Sequence, residues 1–311
     1  MSDPATIGAA AALLGSHAEI DVPLGPRTTY RVGGAAALLV RIDDESVLEV
    51  VRSCVAATGI DVVVVGNGSN LLVADAGFAG LAIVLAEHFD EIDLDGVDVR
   101  AGAAALLPVV ARRTAAAGLT GFEWAVGVPG SIGGAVRMNA GGHGSDMAAS
   151  LVGVRVVDLR TGEDGVVPAP ALELGYRRSS LAAHQLVLSA DLRLQPGDAS
   201  SANQQIDEIV AWRRANQPGG SNAGSVFTNP EGDSAGRLID ASGAKGLRVG
   251  SAEVSTKHAN FILVDRGGRA DDVRALMREV AARVEAATGV VLHPETRLVG
   301  FEPDPRSEVE G

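Results

Sequence analysis

The chain has 311 residues, 46% hydrophobic and 21% charged, a globular composition long enough for two or three domains. Its net charge of −13 argues against a general nucleic-acid binder, and its single cysteine excludes both an internal disulfide and a thiolate zinc cage, so no metal site is expected. No apolar run of about 18 residues is present to cross a membrane, and Met1-Ser2-Asp3-Pro4 lacks the basic start of a signal peptide, so a cytoplasmic location is expected.

A short helical tract at Ala5–Leu14 is followed by an apolar run, Ala35–Ile42, that reads as a strand. Asp43 and Asp44 can cap the next helix, whose Val47, Leu48, Val51 and Val55 share one face, with Cys54 in the core and Gly59 at the end. Asp61–Val65 then reads as a buried parallel strand, completing a βαβ unit. It runs into Gly66-Asn67-Gly68-Ser69-Asn70-Leu71, small residues whose backbone N–H groups can curl around an anion such as phosphate. Leu71 stands where a dinucleotide fingerprint needs its third glycine, and the lysine of a P-loop is missing. A plain Asn-Gly turn accounts for the run equally well.

Strands are expected at Leu81–Leu85 and Val97–Ala101, then a helix at about Leu106–Ala117 with Pro108 in its first turn. The stretch from Gly121 to Gly144 packs eight glycines into 24 residues among Trp, Ile, Val and Pro. A linker would be polar, so this composition points to backbone pressed against a flat or extended ligand. His143 within it offers an attachment point, although a lone loop histidine is ordinarily solvated.

Leu151–Arg160 and Val166–Pro168 suit a hairpin, and Tyr176-Arg177-Arg178 sets guanidiniums, which can grip a carboxylate, beside a ring. Gln185–Leu194 reads as a strand and Gln195-Pro196-Gly197-Asp198 as a boundary. A helix over about Ser200–Asn216 delivers Arg213 and Arg214 near its end. Next comes Ala223-Gly224-Ser225-Val226-Phe227-Thr228-Asn229-Pro230, where one hydroxyl sits between a glycine and an apolar pair; Ser225 is the candidate acid. A short helix at Ala235–Ala241, a strand at Phe261–Val264 and an amphipathic helix at Asp271–Ala287 follow. The last strand is expected to run into His293-Pro294-Glu295-Thr296-Arg297, where a carboxylate and an arginine lie close in sequence. Of 26 cations only Lys245 and Lys257 are lysines, both near the serine loop.

Taken together and in order, Gly66–Leu71, Gly127–Gly134 with Asn139, Tyr176-Arg177, Ala223–Pro230, Lys257–Phe261 and Pro294-Glu295 resemble the flavoprotein family of UDP-N-acetylenolpyruvoylglucosamine reductases (MurB), in its shortened-loop branch. The resemblance implies an α+β fold: an N-terminal extension (1–24), a two-lobed FAD-binding domain of the vanillyl-alcohol-oxidase type (25–198, lobes about 25–86 and 87–198) and a substrate-binding domain (199–311). It implies non-covalent FAD, NADPH as co-substrate, and UDP-N-acetylglucosamine enolpyruvate as the group reduced, in a monomer without nucleic-acid or membrane partners.

The resemblance further implies Ser225 as proton donor, with Arg177 and Glu295 on the enolate. FAD would lie against Gly66, Asn67, Gly68, Ser69, Asn70, Leu71, Pro129, Gly130, Ser131, Gly133, Gly134 and Asn139. Substrate would meet Tyr176, Arg213, Asn229, Lys257 and His258. Thr228 and Asn216 stand where relatives often carry lysine, so the diphosphate must rely on Arg213, Arg214, Lys245, Lys257 or backbone donors. The alternatives are a flavin oxidase tethered through His143, and a non-catalytic UDP-sugar or flavin sensor.

Overall fold

The computed structural model describes residues 1–302. Helix α1 (Pro4–Leu14) is capped by the Asp3 carboxylate, which accepts from Thr6 N at 2.9 Å. Strand β1 (Ala18–Pro23) leads to β2 (Ala35–Ile42), and α2 (Glu45–Thr58) starts where Asp44 accepts from the N–H groups of Ser46 and Val47. Strands β3 (Val62–Val64), β4 (Leu71–Val73) and β5 (Phe78–Leu85) follow. The sheet order is β1-β2-β5-β3, so the βαβ unit has parallel outer strands with β5 inserted between them. Leu38, Val40, Ile42, Leu81 and Ile83 bury one face beneath α1 and α2, with Cys54 in the same core, while Leu39 and Ala82 bury the other. Burial on both faces is why these strands read as continuous apolar runs rather than alternating ones.

The second lobe is an antiparallel sheet of order β12-β11-β13-β7-β6. Its strands are β6 (Ile92–Asp95), β7 (Asp98–Gly102), β11 (Leu151–Asp158), β12 (Asp164–Pro168) and β13 (Gln185–Arg193). Between β7 and β11 come α3 (Leu107–Ala116), β8 (Leu119–Thr120), α4 (Ile132–Met138) and a two-stranded ribbon of β9 (Gly141–Gly142) and β10 (Ser145–Asp146). After β14 (Gln195–Pro196), which pairs with β8, helix α5 (Ala199–Asn216) buries Ala202, Ile206 and Ile209 in this lobe's core. The third unit, expected to start at 199, therefore gives its first helix to the second core.

The last core is built from α6 (Ala235–Ala241), a sheet of β15 (Arg248–Val249), β16 (Ala252–Val254) and β17 (Ile262–Val264), and α7 (Ala270–Thr288). Tyr30, Val32 and Leu72 of the first lobe are buried in it. The final strand, β18 (Arg297–Val299), pairs in parallel with β4. It starts later than expected: Pro294 has no N–H for a ladder, and His293–Thr296 instead bond to the serine loop. No described helix is long and apolar enough to cross a membrane.

The α7 N-terminus lacks a cap of its own and takes one from the first lobe. Asp75 accepts from Ala270 N at 3.0 Å and Asp271 N at 3.2 Å, and its Oδ2 lies 3.3 Å from Arg269 Nε. Replacing Asp75 with Ala is expected to cost about 1 kcal/mol locally, read as roughly fivefold faster amide hydrogen exchange in the first turn of α7; unchanged exchange there would show that the cap is not supporting it.

Candidate active site

The serine loop is held from both sides through its backbone. Val226 N donates to Asn260 O at 2.9 Å, and Val226 O accepts from Glu295 N at 2.8 Å and Thr296 N at 3.3 Å. One residue on, the buried Asn260 amide acts as a surrogate strand: its Oδ1 accepts from Phe227 N at 3.0 Å and its Nδ2 donates to Phe227 O at 2.8 Å. Thr228 N then donates to His293 O at 2.9 Å. A buried amide bonded at both ends fixes register at little net expense, whereas an unbonded one is costly. The segment thus keeps an extended course without belonging to a sheet.

Ser225 is half-buried and lines a cleft of about 350 Å³ with Asn229, Arg237, Lys245, Lys257 and His258. Its hydroxyl has no hydrogen-bond partner among the described residues. Asn229 Oδ1 accepts from Ala235 N at 3.0 Å at the start of α6. His258 Nδ1 accepts from Asn260 N at 3.2 Å, and its ring packs edge-on against Phe261 at 4.8 Å. Burial, assisted by Lys245, holds the His258 pKa below the ordinary histidine value, which favours the neutral ring with its proton on Nε2. Lys257 Nζ donates to Arg214 O at 2.7 Å, in the last turn of α5. Arg213 is absent from the cleft wall; it lies close enough to His143 to help burial depress that imidazole's pKa. A larger hollow of about 890 Å³ beside α7 is lined by none of the three expected catalytic side chains.

Glu295 turns from this loop toward the second lobe, where its Oε1 lies 2.8 Å from Arg177 Nε, an ion-pair contact in which the N–H is not aligned on the oxygen. Arg177 also donates from Nη2 to Gly141 O at 2.9 Å, and its guanidinium sits 5.2 Å from the Tyr176 ring centroid. Its backbone has φ +57°, held by a tight turn in which Gly175 and Arg178 exchange hydrogen bonds. Burial pushes the Glu295 carboxyl above the ordinary glutamate range and Arg177 draws it back, with burial winning. Glu295 is therefore suited to carry a proton beside a fixed cation.

Two glycine-bearing loops face each other next to this pair. Asn67 Nδ2 donates to Pro129 O, and a Cβ on Gly66 would stand 2.5 Å from Ser131 Oγ. Gly68, at φ +61°, has the Arg27 carbonyl where a side chain would go. The N–H groups of Gly66, Asn67, Gly68, Ser69, Gly130 and Ser131 find no protein acceptor among the described residues. A set of backbone donors without protein acceptors suits the diphosphate of the expected FAD, and Gly130 and Gly134 leave ordinary contact space beside it.

The side chains of three expected cofactor residues are engaged within the protein. Asn70 Nδ2 donates to Glu295 O at 3.1 Å, and Asn70 O accepts from Arg297 N at 2.9 Å. Leu71 packs in the core shared with Val73 and Val299. Asn139 is buried, with its whole amide taken by protein groups. His143 is exposed, as a lone loop histidine ordinarily is, and its ring stands edge-on to the exposed Trp212 at 5.0 Å. Sequence reasoning passed over Asn260; its signal was an amide four residues before a buried strand's end. Tyr30, ahead of β2 in the first lobe, is fully buried in the third core.

Comparison with known proteins identifies the family. Residues 36–163 match the model of the FAD binding domain, and residues 216–299 that of the UDP-N-acetylenolpyruvoylglucosamine reductase C-terminal domain. The chain is 42% identical over 287 residues to the UDP-N-acetylenolpyruvoylglucosamine reductase of Rubrobacter xylanophilus, covering 91% of this chain and 95% of that one. It is 43% identical over 285 residues to the enzyme of the same name from Synechococcus sp. (strain RCC307), covering 90% and 93%. The crystal structure of the Thermus caldophilus reductase superposes with a TM-score of 0.79 at 38% identity, over 91% of this chain and 98% of that one. With an FAD-binding domain in front, the matching C-terminal domain behind and similarity across nearly its whole length, the chain belongs to the UDP-N-acetylenolpyruvoylglucosamine reductase family.

Proposed function

We propose that this chain reduces UDP-N-acetylglucosamine enolpyruvate to UDP-N-acetylmuramate, with Arg177, Glu295 and Ser225 as the catalytic groups, acting as a cytoplasmic monomer. When bound, FAD would supply the hydride, with NADPH as its reductant. The observation that carries the reading is that one residue, Val226, ties the Ser225 loop by backbone bonds to Glu295, which in turn meets Arg177. Family membership supports the substrate and the cofactor.

Hydride addition to the methylene carbon pushes negative charge toward the substrate carboxylate. The Arg177 guanidinium and a protonated Glu295 carboxyl act as donors to those oxygens, and each such preorganised donor is worth roughly 3–4 kcal/mol. Ser225 gives its hydroxyl proton to the carbon bearing the carboxylate, completing the saturation of the double bond. Lys245, Lys257, Arg237 and Asn229 line the cleft beyond Ser225; Lys245 pairs there with Asp240 and Arg237 with Asp233, so an anionic nucleotide would exchange those carboxylates for its phosphates. Within the same reading the chain divides after Asn216 rather than at 198, since α5 packs with the second lobe.

Replacing Ser225 with Ala should slow reoxidation of the reduced enzyme by the enolpyruvyl substrate about 10²–10⁴-fold while NADPH still bleaches the flavin at its usual rate in stopped flow; an unchanged reoxidation rate would remove Ser225 from the proton-donor role. Burial raises the Glu295 pKa and Arg177 lowers it, so Arg177→Ala should lift that pKa further, measured by carboxyl ¹³C titration. Because the folded pKa lies above the ordinary one, the stability that the neutral carboxyl contributes is complete below the unfolded value and is lost as pH rises through the folded value. Thermal scans from acid to neutral pH should thus show the variant's loss of stability continuing to higher pH than the parent's, and coincident profiles would contradict the pairing.

A further inference from the structure

We infer that Asn139, which a glycine-rich flavin stretch suggests as a cofactor contact, is instead the positioning residue for Arg177, because both backbone supports of that guanidinium converge on its side-chain amide. The first support is the turn that carries Arg177: Asn139 Nδ2 donates to Gly175 O at 3.0 Å, at the entry to the turn closed by Arg178. The second is the ribbon that receives it. Asn139 Nδ2 also donates to Asp146 Oδ2 at 3.1 Å, Asp146 pairs across the ribbon with Gly141, and Gly141 O accepts from Arg177 Nη2 at 2.9 Å.

The third bond runs from Ala148 N to Asn139 Oδ1 at 2.9 Å, which ties the far side of the ribbon to the same amide. An amide nitrogen carries two hydrogens, and both are used, so no donor remains for the cofactor. The position explains the residue type. Asn139 closes α4 at φ +39°, a left-handed conformation that asparagine tolerates better than other residues with a side chain, and it is 3% exposed. Arg177 itself sits in the left-handed region, which persists only where its surroundings over-determine it. Asn139 supplies that determination from beneath, while Glu295 meets the guanidinium from the side.

The inference rests on the reading of Arg177 as a group that acts on substrate, and the test separates the two. Asn139→Ala and Arg177→Ala are compared as FAD-loaded enzymes, together with Asn139→Asp, which keeps the left-handed tolerance and the Ala148 bond but sets a carboxylate against Asp146 and the Gly175 carbonyl; Asn139→Asp alone carries the test if Asn139→Ala does not fold. Titration of apoprotein with FAD should give a dissociation constant within about threefold of the parent for the Asn139 variants. Hydrogen exchange across residues 174–178 and 141–146 should speed up about tenfold or more, and reoxidation by substrate should slow about 10²-fold with flavin reduction by NADPH unchanged.

Unaltered exchange at both segments overturns the inference whatever the kinetics. So does a weakening of FAD beyond tenfold with reoxidation intact, which would make Asn139 a cofactor contact. If Arg177→Ala fails to slow reoxidation, the catalytic reading falls, and the exchange result alone then decides the structural claim.

Discussion

The site depends on the backbone of one residue, Val226, bonded through its N–H to Asn260 and through its carbonyl to Glu295. A short extended segment outside any sheet has few bonds of its own, so these cross-links set where the neighbouring Ser225 hydroxyl stands. They also make the hydroxyl and the carboxyl a single construction: a shift in one segment moves the other. Asn260 completes the arrangement by filling both backbone positions of Phe227 from a buried amide. An apolar residue there would strand a donor and an acceptor in the core, at a penalty of about 1–3 kcal/mol each.

The same segment reaches back to the first lobe. Asn70 holds the Glu295 carbonyl, β4 and β18 run side by side, and Asp75 caps α7 across the joint. Tyr30, Val32 and Leu72 are buried with the third core rather than the first. The loop expected to take the flavin diphosphate is therefore continuous with the carboxyl expected to act on substrate. Attachment to the second lobe is of another kind, through polar groups: Arg177 on Glu295, and Lys257 on the last turn of α5.

Much of the scaffold was legible in the sequence. Capping aspartates, apolar faces at helical spacing and continuous apolar strands located α1, β2, α2, α3, α5, α6 and α7 to within a residue or two of their observed ends. The short strands β1, β4 and β6 were missed because three to six residues with mixed patterning carry little period-two signal, and β4 exists only because β18 pairs with it. The expected run into His293 failed at a proline whose partners lie in the distant serine loop. At the site, residue type suggested Ser225 as an acid, and the roles expected of Arg177 and Glu295 came from the family resemblance. Residue type could not separate a ligand contact from a framework contact. Asn70, Leu71 and Asn139 belong to stretches rich in glycine, yet their side chains are bound within the protein, and only the pairing of remote segments reveals that.

The account turns on where the Ser225 hydroxyl lies once flavin and substrate are in place. A crystal structure of the FAD-loaded protein with the enolpyruvyl nucleotide measures this directly. The account predicts Ser225 Oγ within about 3.5 Å of the carbon bearing the carboxylate, with Arg177 and Glu295 on the carboxylate oxygens. A hydroxyl turned away from that carbon, with another acid or an ordered water in its place, would contradict it.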